Sequence, residues 1–175
     1  SVITAMMQTV EGDLDVIFVP YDGDGPALTA LQGAAIDVMP AVLGASIEGI
    51  RAGNMVPLAI FDTERNRFLP DVPVAPELNA GYSTYLPWGP FFGVFVKNGT
   101  PQPIVDALIA AYAGAVEDQG FLDLMDNRGF SVMNMSGDDA QNFLTAWQST
   151  TAWLLQDAGL AVNNPADLGI ARPGE

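Results

Sequence analysis

An alternation of segment types constrains the fold of this chain more than any other feature. Three apolar runs of strand length, "LDVIFVPY" at 14–21, "IDVMPAVL" at 36–43 and "MVPLAIFD" at 55–62, are separated by stretches with helical spacing. Apolar, β-branched runs of that length, bounded by Gly and Pro, read as buried strands. Strands separated by helices predict a parallel sheet with right-handed crossovers, and hence an α/β fold. A ligand site in such a sheet lies at the carboxyl ends of its strands.

The first run leads straight into such an end. In "FVPYDGDGPALTAL" at 18–31, Pro20 and two glycines stop the strand, and a helix is expected from about Pro26 to Leu31, closed by Gly33. Pro26 then sits in the first turn, where its missing N–H costs nothing. Helix N-termini expose unpaired N–H groups and a partial positive charge, a setting in which a carboxylate settles readily. Gly23 and Gly25 permit backbone conformations and a close approach that a Cβ would block. Tyr21 offers an aromatic wall and a hydroxyl. The same spacing also suits a plain Gly-rich turn between strand and helix. Asp22 and Asp24 repel an anion unless they point to solvent, so either both face water or the ligand carries little negative charge or arrives with a cation. "DGDG" falls far short of a calcium loop, and no metal is predicted.

Other elements follow from their punctuation. Residues 2–10 suit a short helix with Ser1 as its cap, and "ASIEGIRAG" at 45–53 a helix ended by Gly53. The Arg- and Pro-rich stretch 63–81, with Arg65, Arg67, Pro70, Pro73 and Pro76, reads as a surface excursion with one short helix at 75–79. An extended segment broken by Pro87, Gly89 and Pro90 follows at 82–100, long enough to cross between two lobes. After Pro101 and Pro103, Ile104, Leu108, Ala111, Tyr112 and Ala115 recur at helical spacing. "GFLDLMDNRG" at 120–129 is expected as a helix and "FSVMNM" at 130–135 as a short strand. Ser136, Asp138 or Asp139 would cap a long helix bearing Phe143, Ala146, Trp147, Trp153 and Leu154 on its apolar side. The Pro/Gly-rich tail 163–175 is expected to be flexible.

Composition removes several function classes. The 175 residues carry 21 acidic and six basic side chains, a net charge of −15, and Lys97 is the single lysine. Nucleic acid and anionic membranes are recognised through basic side chains, so neither is an expected partner. With no cysteine and no histidine, thiol chemistry, the usual general base and the commonest zinc ligand are missing. No G-x-S-x-G elbow is present, so an enzyme is not expected. No apolar run reaches the ~18 residues that span a bilayer. The reading is a soluble chain of one or two compact units, any export signal having been removed or lying upstream.

Three ordered segments resemble a known family. "VPYDGDGPALTALQGAAIDVM" at 19–39, "IRAGNMVPLAIFDTERNRFLPDVPVAPELNAGY" at 50–82 and "FFGVFVKNGTPQPIVDAL" at 91–108 follow the order of motifs in the extracytoplasmic solute-binding receptors of tripartite tricarboxylate transporters, the TctC or Bug family. The resemblance runs from about residue 14 to 160. Family members are nearly twice as long, so the resemblance implies a C-terminal portion or truncated form that lacks the start of the first lobe. The implied fold is of the periplasmic-binding-protein type II, with 1–90 as most of the second lobe, 91–162 as the returning part of the first and 163–175 as a tail.

The resemblance further implies a ligand carboxylate on the amides around Gly23 to Ala27, with Tyr21, Asp22, Asp24, Gly25 and Pro26 at the site. Pro40 and Ala41, ending the second run, either face the same cleft or serve packing. Phe91 and Phe92 stand where the family has an aromatic pair near the lobe crossing, and suit core packing equally. Arg51 has a ready explanation as a cation near a helix C-terminus. The implied function is capture of a small organic acid, in the periplasm and without a cofactor, for membrane transporter subunits; the alternative is a ligand-sensing domain of a regulatory system. Two lobes would close about a hinge made by 55–62 and 85–94. Apolar faces left open in a truncated chain favour a homodimer.

Overall fold

The computed structural model describes residues 2–12 and 14–174. Its helices are α1 (Val2–Glu11), α2 (Asp24–Gln32), α3 (Leu43–Arg51), α4 (Ala75–Leu78), α5 (Gln102–Val116), α6 (Gln119–Asn127) and α7 (Gly137–Asp157), with 3-10 turns at Ala80–Thr84 and Pro165–Leu168. The Ser1 cap expected for α1 lies outside the described residues.

The helix boundaries follow their local signals. Gly53 takes a φ of +72° just past the end of α3, and Gly129 takes the same value after α6, the left-handed stop that glycine accepts without strain. Asp118 caps α6 by accepting the N–H of Phe121 at 3.0 Å. Pro103 falls in the first turn of α5, as its missing N–H allows. Ser136 precedes α7, yet its side chain makes no capping bond; Asp138 and Asp139 supply the negative charge in that first turn. Helix α2 starts two residues earlier than expected, at Asp24, and Ala34 rather than Gly33 takes the positive φ that turns the chain after it.

The sheet is the main correction. Among the described residues, the runs at 14–21, 36–43, 55–62 and 130–135 form no strand, and a single parallel bridge joins Ile60 to Val74. That bridge has two bonds: Ile60 donates its N–H to Pro73 O at 2.9 Å, and Ala75 donates to Ile60 O at 2.8 Å. A helix satisfies its backbone within itself, whereas a strand needs a neighbour in register. Here none of the runs pairs with another, and Leu43, the last residue of the second, is drawn into α3.

The main core forms where α1 meets α7. Met6 and Leu154 are wholly buried there with Ala75, Tyr82, Tyr85 and Leu86, and Phe61 and Trp88 pack around them. Phe61 meets Tyr82 edge-on at 5.4 Å between ring centres. Trp88 stacks on Trp147 at 5.9 Å, and each indole N–H has a partner: Trp88 donates to Thr151 Oγ1 and Trp147 to Gly89 O. The chain's last turn returns along α7, where Trp153 donates to Ile170 O, Ser149 donates to Ala171 O, and Arg172 lies over the Trp153 ring while bonding both oxygens of Asp157. A smaller core lies under α2 and α3, around Ala27 and Ile47.

Candidate functional site

The junction at 21–27 does end in a helix, and the structure sets a second helix beside it. Gly23 is the N-cap of α2 with φ +99° and ψ 177°, a conformation that side-chain-bearing residues rarely adopt. Neither Gly23 nor Val42, the N-cap of α3, provides a side-chain cap. The first four N–H groups of each helix therefore depend on other partners. In α2, Gly23 N–H is engaged by Tyr21 O at 2.9 Å and Pro26 has no N–H, which leaves the amides of Asp24 and Gly25. In α3, Val42 N–H reaches Asp24 Oδ2 at 3.4 Å and Ala45 N–H reaches Val42 O at 3.0 Å, which leaves Leu43 and Gly44.

Asp24 thus has a partner within the chain. It is half-buried, and its carboxylate joins the start of α2 to the start of α3, where the helix dipole favours negative charge. Asp22 is exposed, as expected for a solvated aspartate. Gly25 has open space around the position a Cβ would take and no positive φ, so its lack of a side chain serves neither packing nor backbone strain. Tyr21 and Pro26 are exposed, and Ala27 is buried beneath the turn. Pro40 and Ala41 are exposed and lead directly into Val42, which brings them to the same corner.

The aromatic pair is split. Phe91 packs edge-on against Phe143 at 5.2 Å and Trp147 at 5.4 Å, within the aromatic group on α7. Phe92 turns outward, 81% exposed, and meets Phe130 edge-on at 5.8 Å. Phe130 in turn occupies the space above Gly44: a Cβ there would lie 2.5 Å from the ring. Phe92 thus reaches the first turn of α3 through Phe130, and Phe91 does not. Sequence reasoning missed both Gly44 and Phe130. A lone glycine between an expected strand and an expected helix is the available signal, since it can mark a close approach.

Three of the arginines have partners elsewhere. Arg51 is at the far end of α3, about 12 Å along the axis, where Nη1 bonds Glu48 Oε1 at 2.9 Å and Asn127 O at 3.3 Å. Arg65 pairs with Glu77 and Arg67 with Asp126, tying the 63–70 loop to α4 and α6. Hydrogen bonding from Arg65 holds the Glu77 carboxyl below its ordinary range. Among the described residues, no group of three acidic side chains is placed to hold a metal ion, and no helix is long and apolar enough to cross a membrane.

Comparison with known proteins decides the family: the model for the tripartite tricarboxylate transporter family receptor, TctC, matches residues 2–160. The chain belongs to the TctC family. Family membership implies a periplasmic-binding-protein-like fold. Among curated proteins, a UPF0065 protein of Bordetella pertussis is 26% identical over 156 residues, covering 88% of this chain and 47% of that protein. Protein BugT of the same organism is 30% identical over 145 residues, 81% of this chain and 42% of its own length. A UPF0065 protein from the tcbD-tcbE intergenic region of a Pseudomonas strain is 26% identical over 129 residues, 73% of this chain and 37% of its own. The chain thus spans under half the length of these relatives.

Proposed function

We propose that this chain is the solute-capturing part of a periplasmic receptor that binds a small organic acid and delivers it to the membrane subunits of a tripartite tricarboxylate transporter, without cofactor or catalysis. The observation that carries the reading is the pairing of two helix starts, α2 and α3, neither with a side-chain cap, in a chain of this family. A carboxylate at that corner would meet the amides of Asp24, Gly25, Leu43 and Gly44, with Tyr21, Pro40, Ala41 and Phe92 at its rim. Asp22 and Asp24 add negative charge beside it, which favours a solute less charged than a tricarboxylate.

In this reading 1–90 supplies most of one lobe, 91–162 the returning part of the other and 163–175 a tail, and the facing cleft wall comes from receptor polypeptide other than these 175 residues. The test is calorimetry on the native receptor carrying this segment, with a panel of mono-, di- and tricarboxylates. Gly25→Val fills the open space at the helix start without disturbing a strained backbone. Affinity should fall roughly tenfold or more, the loss of one hydrogen bond to a charged group. A folded valine variant that binds as tightly as the parent makes the junction a plain turn. A receptor that takes none of the acids removes the organic-acid reading altogether.

A further inference from the structure

Helix α7 ends on a charge that its own dipole disfavours. Asp157 is the last residue, and no basic side chain stands in that last turn. Its partners come from two distant segments. Arg172 grips the carboxylate with Nη1 on Oδ2 at 3.0 Å and Nη2 on Oδ1 at 2.8 Å, and Tyr85 donates its hydroxyl to the same Oδ2 at 2.9 Å. A two-pronged guanidinium–carboxylate pair fixes orientation as well as charge. Arg172 is also the one basic residue in the sequence after Arg128.

Two rows of side chains on α7 carry these two segments. Ser149, Trp153 and Asp157 recur every four residues and so share a face. All three meet the tail: Ser149 donates to Ala171 O at 2.7 Å, Trp153 donates to Ile170 O at 3.0 Å, and Arg172 lies 4.2 Å over the Trp153 ring while holding Asp157. The tail is shaped for this course. Asn164 caps its 3-10 turn, and Gly169, at φ +71°, turns the chain so that Ile170 N–H returns to Pro165 O at 3.0 Å. The other row, Trp147, Thr151 and Leu154, holds 85–91: Trp88 bonds Thr151, Trp147 bonds Gly89 O and packs on Phe91, and Leu154 is buried with Tyr85 and Leu86. The two segments meet at Asp157.

We propose that 161–172 is a strap that locks 85–91 onto α7, with Asp157 as the joint that couples docking of the tail to the placement of Tyr85. The Asp157 side chain is 22% exposed, so without Arg172 it can turn to water, and Tyr85 loses a fixed acceptor. Coupling of this kind is reciprocal: loss of the Tyr85 hydroxyl loosens the tail. The strap lies beyond residues 2–160, the part that the family model matches. Its contacts are within the chain and do not rest on the receptor reading; in that reading 85–94 is one of the two expected crossings between lobes, and the strap restrains that hinge.

A double-mutant cycle in the full 175-residue chain, followed by urea unfolding, tests the coupling. Arg172→Ala should lower the folded-to-unfolded ratio roughly five- to thirty-fold. The cost of Tyr85→Phe decides, and it should shrink by roughly twofold or more once Arg172→Ala is present. Gly169→Val leaves Arg172, Asp157 and Tyr85 in place and meets no atom within 4 Å, so it strains only the turn that aims the tail. It should shrink the cost of Tyr85→Phe in the same way. A cost that is unchanged or larger in the Arg172→Ala background overturns the coupling. A cost reduced by Arg172→Ala and not by Gly169→Val assigns the effect to the charge of Arg172 alone and overturns the strap.

Discussion

The core between α1 and α7 and the run at 16–19 are made of the same kinds of side chain and end in opposite environments. Met6 and Leu154 are 0% exposed, while Ile17 is 93% exposed. Hydropathy does not separate them; backbone bonding does. In α1 and α7 each turn satisfies its own N–H and C=O groups, so an apolar stripe needs only another stripe to bury itself. The run at 16–19 has to find a backbone partner before its side chains can be covered. Between these two regions, burial has gone to the one whose backbone closes locally.

The largest test of that contrast is a pair of truncations. Leu154→Ala should cost about 2–5 kcal/mol in denaturant unfolding, because it leaves a cavity beneath α1. Ile17→Ala, measured at a dilution where the chain is monomeric, should change stability by no more than ~0.5 kcal/mol. If the two cost the same, the contrast is broken.

Glycines sharpen it at the candidate site. Gly44→Val meets the Phe130 ring, 2.5 Å from the new Cβ, and should cost about 1–3 kcal/mol as the ring is displaced. Gly25→Ala meets nothing within 4 Å and should be neutral or slightly stabilising. Chemical denaturation of both variants decides. Equal losses would mean that the corner at Gly25 is as tightly packed as the one at Gly44.

A finer test uses pH, because the α1–α7 core carries titrating groups and the 16–19 run carries none. Hydrogen bonding from Arg172, helped by the Tyr85 hydroxyl at 2.9 Å, holds Asp157 below its ordinary range against the opposing effect of burial. Its stabilisation is present above the unfolded aspartate value, about 3.9, and is lost as pH falls through the lower folded value. Burial, with hydrogen bonding to Asp157, pushes Tyr85 up to about 12, and burial with Glu11 pushes Tyr82 up to about 12 as well. Their contribution is full below the unfolded tyrosine value, about 10, and declines as pH rises through the folded one. Thermal melting from acid to alkaline pH should thus show losses at both ends. Tyr85→Phe should reduce the alkaline loss, and an unchanged alkaline limb would detach Tyr85 from the core's stability.

The helices were legible because their signals are local. Pro101 and Pro103 before α5, Asp118 before α6 and the glycines at 53 and 129 act within one or two turns of the residues they stop or start. The sheet was not legible, since apolarity and β-branching at 14–21, 36–43 and 55–62 describe what a strand requires and not whether a neighbour stands beside it. Of the candidate site, the glycine turn and the presence of a helix after it could be read from "YDGDG", though α2 begins two residues earlier than expected. Two other features lay beyond reading. Asp24 turns inward to Val42, eighteen residues on, and Phe130 covers Gly44 from a segment that was expected to be a strand.

By itself, then, the sequence determined the helices, the stops between them, the acidic surface and, through its ordered motifs, the family. Each of these depends on neighbours along the chain or on residue type alone. Tertiary structure decided which of the apolar stretches became core, which of two adjacent phenylalanines faced inward, and where a half-buried aspartate found its partner. Those outcomes turn on contacts between residues far apart in the chain, such as Met6 with Leu154 or Phe92 with Phe130, whose geometry no local pattern encodes.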